Sequence, residues 1–211
     1  MSGTPAEYPT VPEAQEEPKK RNRVWDAIVE IVTTVALAVI LYLIITTFVV
    51  QTFRVEQQSM IDTLQPQEHL LIDKLTPRFD DYSRGDIIVF HPKGDTDKTP
   101  FIKRVIGLGG ERVEIREGLV WIDGVALDED YTYLGEPTQP SGIRGESEWD
   151  VPAGSLFVLG DHRQGSQDSR NANPGFVETD DVVGRAWLRF FPLDTLGILQ
   201  TPEYPELEGS E

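Results

Sequence analysis

Ser59, Lys103 and the dense polar run from 160 to 170 are the parts of this sequence whose residue types can do covalent chemistry together. A serine hydroxyl is a weak nucleophile until a nearby base takes its proton, and the bases on offer are a histidine or an uncharged lysine. The chain has 3 histidines, His69, His91 and His162. Asp161-His162 invites a Ser/His/Asp reading, but neighbours in an extended segment point to opposite faces, so Asp161 is badly placed to orient that ring. His69 and His91 read as surface or loop residues. Lys103 lies in Phe101-Ile-Lys-Arg-Val-Ile-Gly107, which is apolar apart from Lys103 and Arg104. Alternation puts those two on opposite faces, so one of them should point inward. Burial penalises a charged lysine, lowers its pKa and leaves an amine able to act as a general base. Each piece also has a plainer reading. Fully buried lysine is rare, so 103 and 104 read equally as solvated charges on an edge strand. Ser59 alone is a turn hydroxyl, and 160–170, with Ser166, Ser169, Asp168 and Arg170, is a solvated loop with Asx-type turns.

The elements that must hold these residues are mainly β. Short apolar runs at 52–57, 69–73, 86–90, 101–106, 112–115, 119–122, 155–159 and 182–190 are rich in Val, Ile, Phe and Trp. Turn residues punctuate them at Gly109-Gly110, Asp123-Gly124 and Pro152-Ala-Gly154. The run ending in Asp123-Gly124-Val125 reads as a hairpin. Two loops interrupt the pattern, a polar one at 92–100 and a long acidic Gly/Pro-rich one at 129–150, read as either a small flap or an unstructured excursion. The apolar ending 190–199 is too short to span a membrane and reads as a last core strand.

Before these strands, residues 31–53 run for 23 positions without a charge. A helix needs about 20 such residues to cross the hydrocarbon core, and a cleavable leader has a shorter apolar region and a small-residue cut site. The segment 24–53 is therefore expected to be an uncleaved anchor. Lys19, Lys20, Arg21 and Arg23 precede it, which keeps the N-terminus cytoplasmic and everything after Phe53 outside. The tail 1–23 is proline-rich and acidic up to that basic cluster and is expected to be disordered. A β domain at 54–199 and an acidic tail at 200–211 complete the plan.

Net charge is −17, from 36 acids and 19 bases. That balance excludes a nucleic-acid partner, because neutralising phosphates needs a basic patch. There is no cysteine, so disulfides, a thiol nucleophile and Cys-ligated zinc are excluded. Asp95 and Asp97 lack the full calcium-loop pattern, and no metal or cofactor is expected.

Four segments in one order resemble the bacterial type I signal peptidases, membrane-bound Ser/Lys proteases. They are Ser59-Met-Ile-Asp-Thr-Leu64, Arg84-Gly-Asp-Ile-Ile-Val-Phe90, Phe101-Ile-Lys-Arg-Val-Ile-Gly-Leu-Gly-Gly110 and Gly160-Asp-His-Arg-Gln-Gly-Ser-Gln-Asp-Ser-Arg170. Any one is weak; all four behind a positive-inside anchor are specific. The likeness implies a largely β catalytic domain of folded sheets or a partial barrel, whose apolar surface rests on the bilayer. It implies Ser59 as nucleophile, Lys103 as general base and Ser166 as the hydroxyl that positions the lysine. Asp168 and Arg170 would hold the architecture together with Arg104, and Met60 would pack beneath the site. The Ser59 N–H would form part of the oxyanion hole. The implied substrates are signal peptides of exported preproteins, cut after small-x-small motifs near the secretion translocase.

Two positions depart from the pattern. Gln57 stands where the family often has Ser or Gly; either its amide takes over as oxyanion donor or the backbone donor acts alone. Asp62 replaces a turn-stiffening proline and should point to solvent, since a carboxylate near Lys103 would favour the charged amine. These departures motivate one alternative, a catalytically silent relative acting in binding or assembly. A single-pass sensory or structural protein and an SOS-type Ser/Lys autoprotease are further rivals; the anchor, and the absence of a DNA-binding segment before it, argue against the latter.

Overall fold

The computed structural model describes residues 23–75, 79–92, 99–140 and 145–207. The expected tail with Lys19, Lys20 and Arg21, the pair Asp95 and Asp97, the centre of the flap at 141–144 and the last four residues lie outside the described residues.

The chain divides into two compact units, 1–42 and 43–211. The described part of the first is helical. Helix α1 covers Arg23–Ile44 and runs on into a short π-helical turn, Ile45–Val49. Together, Arg23–Val49 is long and apolar enough to cross a membrane, and its most apolar window is 0% buried against protein. The helix stops short of Phe53 because β1 (Val50–Arg54) turns extended and pairs with the next strand.

The second unit is built from antiparallel strands. After β1 come β2 (His69–Asp73), β3 (Ile87–Phe90), β4 (Phe101–Gly107), β5 (Arg112–Arg116) and β6 (Leu119–Ile122). Then follow β7 (Val125–Ala126), β8 (Glu148–Asp150), β9 (Ser155–Leu159), β10 (Val177–Glu178), β11 (Val182–Phe191) and β12 (Gly197–Ile198). The larger sheet has the order β1-β2-β11-β3-β4-β9-β10, with β12 on β11; the smaller is β7-β6-β5-β8. Asp123 and Gly124 both have positive φ and join β6 to β7 as a two-residue hairpin. Glycine at the second of these positions accepts that backbone without a Cβ clash.

The larger sheet is buried on both faces at β3 and β4. Ile87, Val89 and Ile102 join Val55, Met60, Leu64, Leu70 and Ile72 on one side. Ile88, Phe90 and Val105 join Leu156, Val158 and Val177 on the other. The smaller sheet packs its Val113, Ile115, Val120 and Ile122 onto Ile106, Phe157 and Leu159. Strand β4 is thus a central strand, not an edge.

Two expectations change. The apolar ending does form a strand, but β12 is only two residues long and Leu193, Leu196 and Ile198 are exposed. His69 opens β2 as the 69–73 run implies, but is half-buried rather than a free surface residue, edge-on to the rings of Phe190 and Phe191 at 5.8 and 5.4 Å.

Gly184 sits where β11 meets β2. A Cβ there would overlap the Asp73 carbonyl oxygen and stand 2.9 Å from Ile72 Cγ2. Backbone cannot move aside as a flexible side chain can. Gly184→Ala should therefore lower stability by about 1–3 kcal/mol, read as a fall in the urea midpoint at unchanged slope.

Candidate active site

The strand β1 ends at Arg54, and the chain is then held by a backbone ladder in which the Val55 N–H donates to the Glu68 carbonyl at 2.9 Å. Between those anchors Ser59 opens a tight turn, closed where the Leu64 N–H donates to the Met60 carbonyl at 2.8 Å. Met60 and Leu64 are fully buried, so apolar packing fixes the turn from beneath and presents Ser59 at its start.

Lys103 reaches this turn from the centre of β4. Its Nζ lies 2.7 Å from Ser59 Oγ and donates to the Ile102 carbonyl at 2.9 Å. Lys103 is 1% exposed and Ser59 4%. Burial is the main cause that brings the Lys103 pKa down from 10.5 to about 8, while the negative charges of Asp168 and Asp161 pull it back up. A charged ammonium donates to the serine hydroxyl; once neutral, the same nitrogen accepts the serine proton. Serine activation needs that second arrangement, and the low pKa brings it within reach near neutral pH.

Arg104 is buried as well, at 1% exposure. The expectation that one of the pair would face inward is corrected: with apolar layers on both sides of β4, alternation buries both. Arg104 Nε and Nη2 donate to the two oxygens of Asp161 at 2.9 and 2.7 Å, and Nη1 donates to the Gly85 carbonyl at 2.9 Å. Arg104 therefore pairs with Asp161 rather than joining Asp168 and Arg170. Asp168 makes its own fork with Arg170, both contacts at 2.8 Å, and accepts from the Gly160 N–H at 3.2 Å. The Thr63 hydroxyl donates to Asp161 at 2.5 Å, which ties the Ser59 turn to the same carboxylate. The His162 N–H donates to the Ser59 carbonyl at 3.0 Å.

Ser166 does not make the expected bond to Lys103. Its Oγ is buried without a hydrogen-bond partner among the described residues, beside Gly160 and close to the Ser59 carbonyl. Gln57 is half-buried and Asp62 is exposed. The residues that sequence reasoning missed are the partners of the buried arginines. Arg163 forks onto Glu129 of the flap at 2.7 and 2.8 Å and donates to the Gly160 carbonyl at 3.2 Å. Tyr131 of the flap lies over Arg104, its ring centroid 4.0 Å from the guanidinium carbon. The one available signal was Arg163 itself, a further cation-bearing position in a segment whose nearby acid, Asp161, is taken by Arg104.

A model of the family "Signal peptidase, peptidase S26" matches residues 28–191. Signal peptidase I of Leptolyngbya laminosa is 38% identical over 207 residues, 95% of this chain and 96% of that one. Probable signal peptidase I-2 of a Synechocystis species is 36% identical over 86% of this chain and 81% of its own length. Signal peptidase I P of Bacillus subtilis subsp. natto is 33% identical over 86% and 96%.

A lysine whose pKa falls on folding holds fewer protons when folded than when unfolded between about 8 and 10.5. Wild-type stability should therefore rise with pH through that window, and the whole penalty is present below it. Lys103→Met removes the penalty. It should stabilise the protein by roughly 3 kcal/mol at pH 7, with the gain shrinking toward pH 10.5, as read from denaturant melts across pH.

Proposed function

The chain belongs to the signal peptidase family, peptidase S26, and from that premise we propose that it removes N-terminal signal peptides from exported preproteins as a membrane-anchored Ser/Lys endopeptidase. The carrying observation is the 2.7 Å approach of Lys103 Nζ to Ser59 Oγ, both side chains being buried. The orientation in this reading follows the basic residues before α1: N-terminus in the cytoplasm, catalytic domain on the outer side of the cell membrane, near the translocase that delivers preproteins.

Neutral Lys103 takes the Ser59 proton as Oγ attacks the carbonyl carbon that follows a small residue. The carbonyl π electrons move onto oxygen, and the Ser59 N–H donates to that oxyanion. This N–H has no backbone or side-chain acceptor among the described residues, which supports the assignment. Gln57, two residues upstream, is the proposed second donor through its side-chain amide; removing one such donor typically costs about 2.7–4 kcal/mol of transition-state stabilisation. The Lys103 ammonium then protonates the departing amine as the C–N bond breaks, and the ester left on Ser59 is hydrolysed by water with Lys103 again acting as base. The uncommitted Ser166 hydroxyl is proposed to accept from that ammonium when it turns away from the acylated serine. Asp168, Arg170 and Arg104 hold the walls.

The test is cleavage of a preprotein with a small-x-small site by full-length protein in detergent. Ser59→Ala and Lys103→Met should each abolish cutting; residual activity in both would remove the dyad. A wild type that cuts nothing would favour the catalytically silent alternative raised by Gln57 and Asp62. With the base titrating near 8, kcat/KM should climb about tenfold per pH unit below that value and level off above it. Because Asp62 is exposed, Asp62→Asn should leave that limb in place.

A further inference from the structure

Residues 201–207 do not trail away from the β domain. The Thr201 hydroxyl donates to Asp86 at 3.0 Å, and Glu206 accepts from the Asp128 N–H at 2.9 Å. Between these ends Tyr204 is 8% exposed and belongs to the core cluster shared by the two sheets. Its hydroxyl lies 2.9 Å from that of Tyr131, and the Tyr131 hydroxyl lies 2.8 Å from Glu129 Oε1. A phenol has one proton, so Tyr131 donates to the carboxylate and Tyr204 donates to Tyr131. Pro202 packs against Gly85, where a Cβ would come within 2.9 Å of its Cδ. Gly85 is the residue whose carbonyl accepts from Arg104.

The segment thus meets the surroundings of Arg104 twice, through Gly85 and through the Tyr131 ring. Beside the segment a cavity of about 630 Å³, partly open to solvent, is lined by Thr63, Arg104, Tyr131, Pro202 and Glu203, among others. Arg104 clamps Asp161, Asp161 accepts from Thr63 of the nucleophile turn, and the next residue, His162, holds the Ser59 carbonyl. A guanidinium covered by an aromatic face and almost wholly buried, as Arg104 is at 1% exposure, binds its carboxylate more firmly than a fully hydrated one.

We propose that residues 201–207 form a strap that completes the active site, with Tyr204 acting through Tyr131 and Arg104 as a positioning residue for Ser59 and Lys103. The inference rests on the Ser/Lys reading of the site. Two charges bear on Lys103 from the elements around it, those of Asp161 and Asp168, and each is paired with an arginine, Arg104 and Arg170 respectively. Loosening Arg104 leaves Asp161 less neutralised. The charged form of Lys103 is then favoured, so the rising limb of the pH–rate profile moves to higher pH.

The experiment compares full-length wild type, Tyr204→Ala and Tyr204→Phe on one preprotein substrate across pH, with melting curves alongside. Tyr204→Ala should lower kcat roughly tenfold with little change in KM, and move the limb up by about half a unit. Tyr204→Phe keeps the ring against the core and should recover most of both. If Tyr204→Ala does not fold, Tyr204→Leu fills much of the same volume and is read in the same way. An unmoved limb with unchanged kcat overturns the strap, and so does an unmoved limb with kcat falling only in step with melting temperature. Ser59→Ala run in parallel separates the two readings: if it still cuts, the dyad fails; if it is dead while the Tyr204 variants match wild type, only the strap fails.

Discussion

The buried centre of the β unit is organised around one constraint, an amine of lowered basicity that feels the charges of two carboxylates. Desolvation lowers the proton affinity of Lys103, and the charges of Asp161 and Asp168 work against it. The balance holds because neither carboxylate is left alone. Arg104 occupies both oxygens of Asp161 and Arg170 both oxygens of Asp168, so each acid has a guanidinium partner of its own. Buried pairs of this kind add little net stability, since desolvation offsets their attraction, but losing one partner leaves a bare buried charge and typically costs about 3–5 kcal/mol. Their use here is electrostatic shielding with fixed geometry.

The antiparallel topology is what brings these groups together. Ser59 and Lys103 come from either side of the β2–β3 segment, and Asp161 follows β9, the neighbour of β4 in the sheet. Placing Lys103 on a central strand rather than a rim puts apolar layers on both faces of the sheet. One strand can then bury consecutive cations only if each finds partners beyond those layers: a turn for the lysine, a loop for the arginine. Glu129 and Tyr131, from the long loop after β7, pair with Arg163 and lie over Arg104.

Much of this was legible in residue order. The strands at 69–73, 119–122 and 155–159 match the observed ends, because Val/Ile/Phe runs bounded by Gly and Asp leave little latitude. The hairpin at Asp123-Gly124 follows from two positive φ angles that few other residue pairs accept. The burial of both Lys103 and Arg104 was not legible, since period-two patterning assumes that one face of a strand is wet. Nor was the exchange of partners that gives Arg104 to Asp161: two acids in one loop are equivalent in sequence, and only the path of the loop distinguishes them. Long-range partners such as Tyr131 and Tyr204 carry no local signal at all. The last apolar segment misled for a different reason, because hydrophobic composition reports a preference to leave water without saying for what.

That last segment has a practical consequence. Trp187, Phe191, Leu193, Leu196 and Ile198 gather at the end of β11 and the return into β12, and all five are substantially exposed. Adjoining oily groups on an aqueous surface make a sticky patch that belongs to the β unit itself. Cutting away the helix would therefore not yield a well-behaved solute: the truncated protein would still carry a face that clings to detergent micelles, to lipid or to its own copies.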